Sequence, residues 1–180
     1  MHAAAVRPTG VERTFDPGGI IVTKTDLQGR LTYANDVFLR VSALREDEAI
    51  GKPHNLIRHP DMPRAVFGLL WERIVAGQEI FAYVVNLAAD GAHYWVLAHV
   101  TPSLSPAGTV VGYHSNRRVP TRAALDHVQP LYRALVAAER QQGAARDAVV
   151  AGRAALDTHL STAGQDYDEM VWALAGSQGW

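Results

Sequence analysis

The amino-acid sequence predicts an α+β fold, with a five-stranded antiparallel sheet that carries short helices on one face and is followed by C-terminal helices. Three observations predict it: two short strand-like runs open the chain, a helical stretch follows, and three longer strand-like runs come next. We expect a lead-in over residues 1–19, one domain over residues 20–119 and a helical region over residues 120–180.

The first two strands are predicted to form a hairpin. The run IIVTKTD is β-branched and bounded by turn residues, and a turn around Gln28 and Gly29 leads into a second strand, Arg30 to Ala34. Asn35 then suits a helix cap, because apolar spacing replaces strand alternation after it. Short helices are expected from Asn35 to Gly51.

A longer helix is predicted from Pro63 to Ala76. Its apolar residues recur at intervals of three and four, Pro63 suits a first turn, and Gly77 suits a stop. An antiparallel meander should follow, built from the runs EIFAYVVNLAAD, HYWVLAHVTPSLS and TVVGYHSNRRV.

From Thr121 the composition changes to residues that favour helix. Pro130 is expected to end or kink the first of these helices, with a second starting near it. Weaker patterns predict helices in AARDAVVAGRAALDTHLS and QDYDEMVWALAG. The apolar stripe after Thr121 fits packing on the sheet, a dimer seam or a partner's docking site, and periodicity does not choose among them.

Composition limits the class of function. The 180 residues have a formal net charge of −1, which offers no general attraction for nucleic acid or anionic lipid. The chain has no cysteine, so thiol redox chemistry and disulfides are excluded, and redox sensing would need a bound cofactor. No run approaches the roughly 20 apolar residues of a spanning helix, and the N-terminus lacks the apolar core of a signal peptide. We expect a cytoplasmic protein without direct membrane insertion.

The stretch PHNLIRHPDMPRAVFGLLW, Pro53 to Trp71, concentrates polar side chains before the long helix. The spacing of His54, His59 and Asp61 matches no established metal-binding pattern, and we predict no metal site. Asp61 can instead cap the following helix. No serine has a nucleophile-elbow context and no glycine-rich phosphate loop is present, so we predict no catalytic residues and no enzyme.

Asn86 continues an otherwise apolar row, Ile80, Ala82 and Val84, on the first meander strand. A buried amide at this position needs a partner, whether a backbone group, a water or a ligand. The alternative is a solvated strand end.

Five segments together resemble the PAS domain of bacterial aerotaxis receptors, in the same order and spacing, over roughly Ile20 to Leu135. They are TDLQGRLTYANDVFL, GKPHNLIRHPDMPRAVFGLLW, DGAHYWV, VGYHSNR and VQPLYRAL.

The resemblance implies the PAS fold and non-covalent binding of FAD, whose oxidation level would report cellular redox or oxygen state. It places eight residues around the flavin: Asn35, Arg58, His59, Asp61, Trp71, Asn86, Tyr94 and Arg117. It also implies a homodimer and signalling to a chemoreceptor or other signalling protein, with output from the outer face of the sheet and the region after Thr121.

Two departures from the resembling sequences favour an alternative, a cofactor-free dimerisation or interaction module. Ile80 stands where related sequences have tryptophan, and the turn Asn86 to Gly91 lacks their basic residues. Haem binding is a further alternative, because five histidines offer axial ligands: His54, His59, His93, His99 and His114.

Overall fold

The structure is a computed structural model, and it describes residues 6–176. Residues 1–5 of the predicted lead-in and residues 177–180 of the predicted helical region lie outside the described part. Five strands and six helices follow in the order β1 Ile21–Thr25, β2 Leu31–Ala34, α1 Asp36–Ser42, α2 Glu46–Ala49, α3 Arg64–Val75, β3 Ile80–Leu87, β4 His93–Leu104, β5 Val110–Arg118, α4 Arg122–Arg140, α5 Ala145–Ala163 and α6 Tyr167–Ala175. A 3₁₀ turn, His54–Ile57, precedes α3. The predicted α+β fold is confirmed.

The five strands form one antiparallel sheet in the order β2-β1-β5-β4-β3. The first hairpin turns at Gly29, whose φ of 75° lies in the left-handed region that glycine adopts without a steric penalty. Strand β1 pairs with β2 on one side and with β5 on the other, so the N-terminal hairpin and the meander share one sheet. Both predicted hairpins are therefore present.

Strand register divides the side chains between two faces. On the inner face, Ile21 of β1 pairs with Arg117 of β5, and Arg117 pairs with Ala98 of β4. Tyr94 lies four residues before Ala98 on β4, so its side chain is on the same face. Helices α1 and α3 cover this face. The outer face carries Phe81 and Trp95, and helices α4 and α6 pack against it.

The lead-in docks beside the β3–β4 hairpin. The Thr9 amide donates to the Gly91 carbonyl at 2.8 Å, and the Arg13 amide donates to the His93 carbonyl at 2.7 Å. The Arg13 guanidinium also forms an ion pair with Asp90.

The apolar stripe after Thr121 packs back on the sheet, which resolves the three options that periodicity left open. Tyr132 of α4 donates from its hydroxyl to the Tyr83 carbonyl of β3 at 2.6 Å. Helix α5 packs against both α3 and α4. No helix within residues 6–176 has both the length and the apolar character needed to cross a membrane.

The prediction that a second helix begins near Pro130 is wrong, because α4 runs through Pro130 from Arg122 to Arg140. Proline removes one backbone hydrogen bond at this point. Buried residues on both sides of it, including Leu125, Val128 and Leu135, hold the two halves on one surface, and their packing outweighs that loss.

The predicted cap of α3 by Asp61 is also wrong. The N-cap residue is Pro63, and no side chain from the local sequence caps the helix. The carboxylate of Glu139, at the end of α4, accepts instead from the backbone amides of Arg64 and Ala65, both at 2.9 Å. Asp61 pairs with Arg140 at 2.8 Å.

Candidate ligand site

Four buried polar side chains on the inner face have nitrogen or oxygen atoms without a partner among residues 6–176. They are the Asn86 amide nitrogen, the Tyr94 hydroxyl, the Ser115 hydroxyl and one terminal nitrogen of Arg117. Asn86 is 2% exposed and Arg117 is 4% exposed. An unsatisfied buried polar group costs about 1–3 kcal/mol, so four on one face indicate a place where a ligand completes the bonding.

Strand pairing brings these residues to one face. Asn86 lies directly opposite Tyr94, and Arg117 lies opposite Ala98, which shares the alternation of Tyr94. The alternative that Asn86 lies at a solvated strand end is wrong, since its side chain is buried.

The Arg117 guanidinium is partly held by the protein. One terminal nitrogen donates to the Thr23 hydroxyl at 2.7 Å and lies 2.6 Å from Nε2 of His54. The guanidinium also lies over the Phe38 ring, 6.0 Å from its centroid. The other terminal nitrogen is the unpartnered one.

Burial governs ionisation at this cluster. Burial lowers the pKa of Arg117 to about 10, with a smaller opposing contribution from Tyr94, so the guanidinium remains charged at neutral pH. Burial, and secondly the Arg117 charge, lower the pKa of His54 to about 3. A neutral His54 accepts from Arg117, which fixes the direction of this contact. Burial raises the pKa of Tyr94, so its hydroxyl stays a donor.

Arg58, His59 and Asp61 lie at the edge of the sheet beside β3, and their side chains face a different region from the inner cluster. The backbone of Arg58 pairs with Asn86, which places this loop next to the inner face. His59 Nδ1 accepts from the Asp61 amide at 3.1 Å, and its ring centroid lies 5.7 Å from that of His93. His59 and Asp61 line a cavity of about 580 Å³ under α4.

Asn35 and Trp71 occupy further separate positions. The Asn35 side chain accepts from the amides of Val22 and Phe38, both at 3.0 Å, and donates to the Ile20 carbonyl at 2.8 Å. These contacts make Asn35 the cap of α1 and a tie between α1 and β1.

Trp71 is 40% exposed and meets the edge of Tyr113, with ring centroids 5.6 Å apart. Tyr113 lies four residues before Arg117 on β5, about 13 Å along the strand. Of the eight residues that the resemblance implies, the structure brings three together on the inner face and three at the neighbouring edge.

The five candidate haem ligands are spread over several surfaces. His54 contacts Arg117, His99 lies 2.8 Å from Glu79, and His114 lies 3.0 Å from Asn116. Within residues 6–176, no group of three or more histidine or acidic side chains is arranged to hold a metal ion.

Sequence reasoning missed two polar residues of the inner face. Thr23 and Ser115 are both buried and lie opposite each other on β1 and β5. The Ser115 hydroxyl is also unpartnered among the described residues. Thr23 follows Ile21 in the alternating row of β1, which was a usable signal for that residue. The approach of His54 to Arg117 depends on a loop that no local pattern predicts.

The donor set suits the polar edge of a flat heteroaromatic ring. An amide N–H, a phenol O–H and a guanidinium N–H can all donate to ring carbonyl oxygens and ring nitrogens. Around them the inner face is apolar, with Ile80, Ala82, Val84, Val96 and Ala98 buried. Few directed donors among apolar side chains are typical of a cofactor site, and the chemistry of the residues present therefore fits the polar edge of an isoalloxazine ring.

Comparison with known proteins agrees with this architecture. A family model described as the PAS fold matches residues 17–115. The aerotaxis receptor of Escherichia coli (strain K12) is 41% identical over 115 residues, which cover 64% of this chain and 22% of the receptor. The nitrogen fixation regulatory protein of Klebsiella pneumoniae is 25% identical over 103 residues, covering 57% of this chain and 21% of that protein. The chain thus matches about a fifth of the length of these relatives.

Solved structures show the same fold. The dark structure of the blue-light photoreceptor Aureochrome1 LOV matches with a TM-score of 0.51 at 22% identity, covering 64% of this chain and 82% of that one. An RNA-binding light-oxygen-voltage receptor matches with a TM-score of 0.51 at 22% identity, covering 54% and 29% of the two chains. With the family match over more than half of its residues, the chain belongs to the PAS family.

Proposed function

We propose that this chain is a sensory PAS protein that binds FAD and reports redox or oxygen state to a signalling partner, without catalysing a reaction. The observation that carries the proposal is the set of unpartnered donors on Asn86, Tyr94 and Arg117. The 41% identity to an aerotaxis receptor supports the sensory role.

The inner face would hold the flavin ring by its polar edge. Asn86 and Tyr94 face each other across β3 and β4, so their donors can reach neighbouring atoms of one ring. Arg117 adds a fixed positive charge that strengthens bonds to a ring oxygen. FAD, when bound, would supply a centre that accepts and returns electrons reversibly.

The signal would be transmitted to the partner through the outer face of the sheet. A change of charge or protonation on the ring alters its bonds to Asn86 and Tyr94, and these strands also carry the residues that pack against α4 and α6. We place the partner, a chemoreceptor or other signalling protein, and a homodimer contact on these helices. A pull-down with a receptor's signalling region in both redox states tests this, and absence of binding in both states would contradict it.

The test of flavin binding is a visible absorption spectrum of purified protein before and after dithionite, with identification of any released chromophore. We expect a yellow protein that bleaches and releases FAD. Asn86→Ala should weaken FAD uptake, whereas Asn116→Ala, a matched change at a residue that contacts His114 on the outer face, should not. A colourless protein that takes up no added FAD would overturn the proposal.

A cofactor-free interaction module is the second candidate function. Ile80 is 1% exposed and lies opposite Val100, and one nitrogen of Arg117 already contacts Thr23 and His54. Part of the inner face is thus closed by the protein itself. This candidate predicts no FAD uptake together with a stable dimer in sedimentation experiments.

A further inference from the structure

We propose that the cleft between the loop before α3 and the α4–α5 junction binds a phosphate group. This cavity has a volume of about 560 Å³ and lies outside the inner face. Its wall includes three arginines from separate elements and the first turn of α5: Arg58, Arg64, Arg140, Ala144 and Ala145. A phosphate or diphosphate is the chemical class that several guanidinium groups around one cleft select.

The cationic groups of the cleft are incompletely neutralised. Arg64 is exposed and has no ion-pair partner among residues 6–176. Arg58 lies over the Phe67 ring at 4.8 Å and donates to the Met62 carbonyl at 3.2 Å, and the Glu139 carboxylate attracts its charge without an ion pair among the described residues. Arg140 pairs with Asp61.

The acidic groups nearby are already used. Both oxygens of Glu139 accept from the backbone of α3, which leaves the carboxylate bound to a helix N-terminus. Counting three arginines against Glu139 and Asp61 leaves one net positive charge at the cleft.

The first turn of α5 adds free donors. The N-cap residue Ala144 has no capping side chain, so the first amides of this 19-residue helix lack side-chain acceptors. Alanines at 144, 145 and 148 line the cleft with small side chains, and the acidic Asp147 of this turn is not part of the lining. This turn supplements the arginines, which carry the proposal.

Two sources could supply the phosphate: the diphosphate of FAD, or a free phosphate ester. The first rests on the proposed function, and it is supported by the backbone pairing of Arg58 with Asn86, which places the cleft beside the inner face. In that case α4 and α5 would form part of the cofactor site and would respond directly to its occupancy.

The experiment is calorimetric titration of the full chain with inorganic pyrophosphate in chloride buffer. We expect Arg64→Gln to weaken binding by about tenfold or more, because one charge-assisted contact is lost. The control Arg122→Gln removes an exposed arginine paired with Glu12 and should leave binding unchanged. No binding of pyrophosphate, or equal loss in both variants, would overturn the inference. Arg140→Gln provides an independent second variant.

Titration with FAD and riboflavin separates the two sources. FAD binding tighter than riboflavin, with the difference removed by Arg64→Gln, assigns the cleft to the dinucleotide. Pyrophosphate binding that depends on Arg64 without any flavin uptake supports the cleft while the proposed function fails. Equal FAD and riboflavin affinities without pyrophosphate binding would refute the cleft and leave flavin sensing intact.

Discussion

The two faces of the sheet differ in how far the protein provides packing and hydrogen-bond partners for the buried side chains of each face. On the outer face, Tyr132 donates to the Tyr83 carbonyl, and its ring lies 5.8 Å from that of Trp95. Phe81 lies 4.6 Å from Trp172 of α6. Helices α4 and α6 thus supply both apolar and polar partners to this face.

On the inner face, the groups without a hydrogen-bond partner include a charged one. Arg117 has an unpartnered guanidinium nitrogen, and Asn86 and Tyr94 add an amide and a phenol. The outer face also has unpartnered phenols, on Tyr83 and Tyr167, but these are neutral groups among packed rings. Leaving a charged donor unpaired costs more than leaving a neutral one, so the inner face has more to gain from a ligand.

The largest expected effect tests how firmly the C-terminal helices belong to the fold. Glu139→Ala removes the acceptor for two amides at the start of α3 and leaves them without a partner at a site where Glu139 is 6% exposed. We expect the free energy of unfolding to fall by about 2–3 kcal/mol, as measured by urea unfolding.

The matched control is Glu72→Ala, an exposed carboxylate on the same helix α3 that contacts Arg153 on α5. Its loss should change stability by less than about 1 kcal/mol, because exposed ion pairs contribute little. Equal effects of the two changes would mean that the contact of Glu139 with α3 does not hold the helices together.

A second prediction concerns pH and the inner cluster. The folded-state pKa of His54, about 3, lies below its ordinary value of 6.5, so the unfolded chain binds more protons between these values. Stability is then fully present above about pH 6.5 and is lost as pH falls, at no more than about 1.4 kcal/mol per pH unit.

His54→Gln keeps an acceptor for Arg117 but cannot titrate. Urea unfolding from pH 7 to pH 5 should show a smaller loss of stability in this variant than in the unchanged protein. Since other groups titrate identically in both proteins, parallel curves would show that His54 is protonated equally well in the folded state.

The fold was largely predictable because its signals are local. Alternation and turn residues predicted all five strands, and the apolar stripe from Val66 to Ile74 predicted α3. Pro130 misled the prediction, since the cost of a proline within a helix is local while the packing that offsets it comes from the sheet. Glycine disfavours a helix interior, yet a Cβ on Gly152 of α5 would lie 2.5 Å from Glu139, so the close contact of α5 requires glycine.

The site was less predictable because its contacts join distant segments. Asn86 was identifiable as an amide in an apolar row. The Glu139 cap of α3 spans 75 residues and the contact of His54 with Arg117 spans 63, and no local pattern reports either of them. Asp61 was predicted to cap α3 only because it lies close to the start of the helix in sequence. The cap is instead Glu139, which is distant in sequence and is brought there by tertiary packing.

The smallest expected effect compares the two faces with one chemical change. Tyr94→Phe and Tyr132→Phe each remove a buried hydroxyl, which is unpartnered in the first case and bonded to the Tyr83 carbonyl at 2.6 Å in the second. Without ligand, we expect Tyr94→Phe to leave stability unchanged or raise it by up to about 1 kcal/mol, because an unsatisfied polar group is removed. Tyr132→Phe should lower it by about 1 kcal/mol through loss of a hydrogen bond.

Opposite signs in urea unfolding, with FAD uptake weakened only by Tyr94→Phe, would identify the inner face as built for a ligand at some cost to stability. Equal losses in both variants would mean that Tyr94 already has a bonding partner in the ligand-free protein, and the distinction between the faces would disappear.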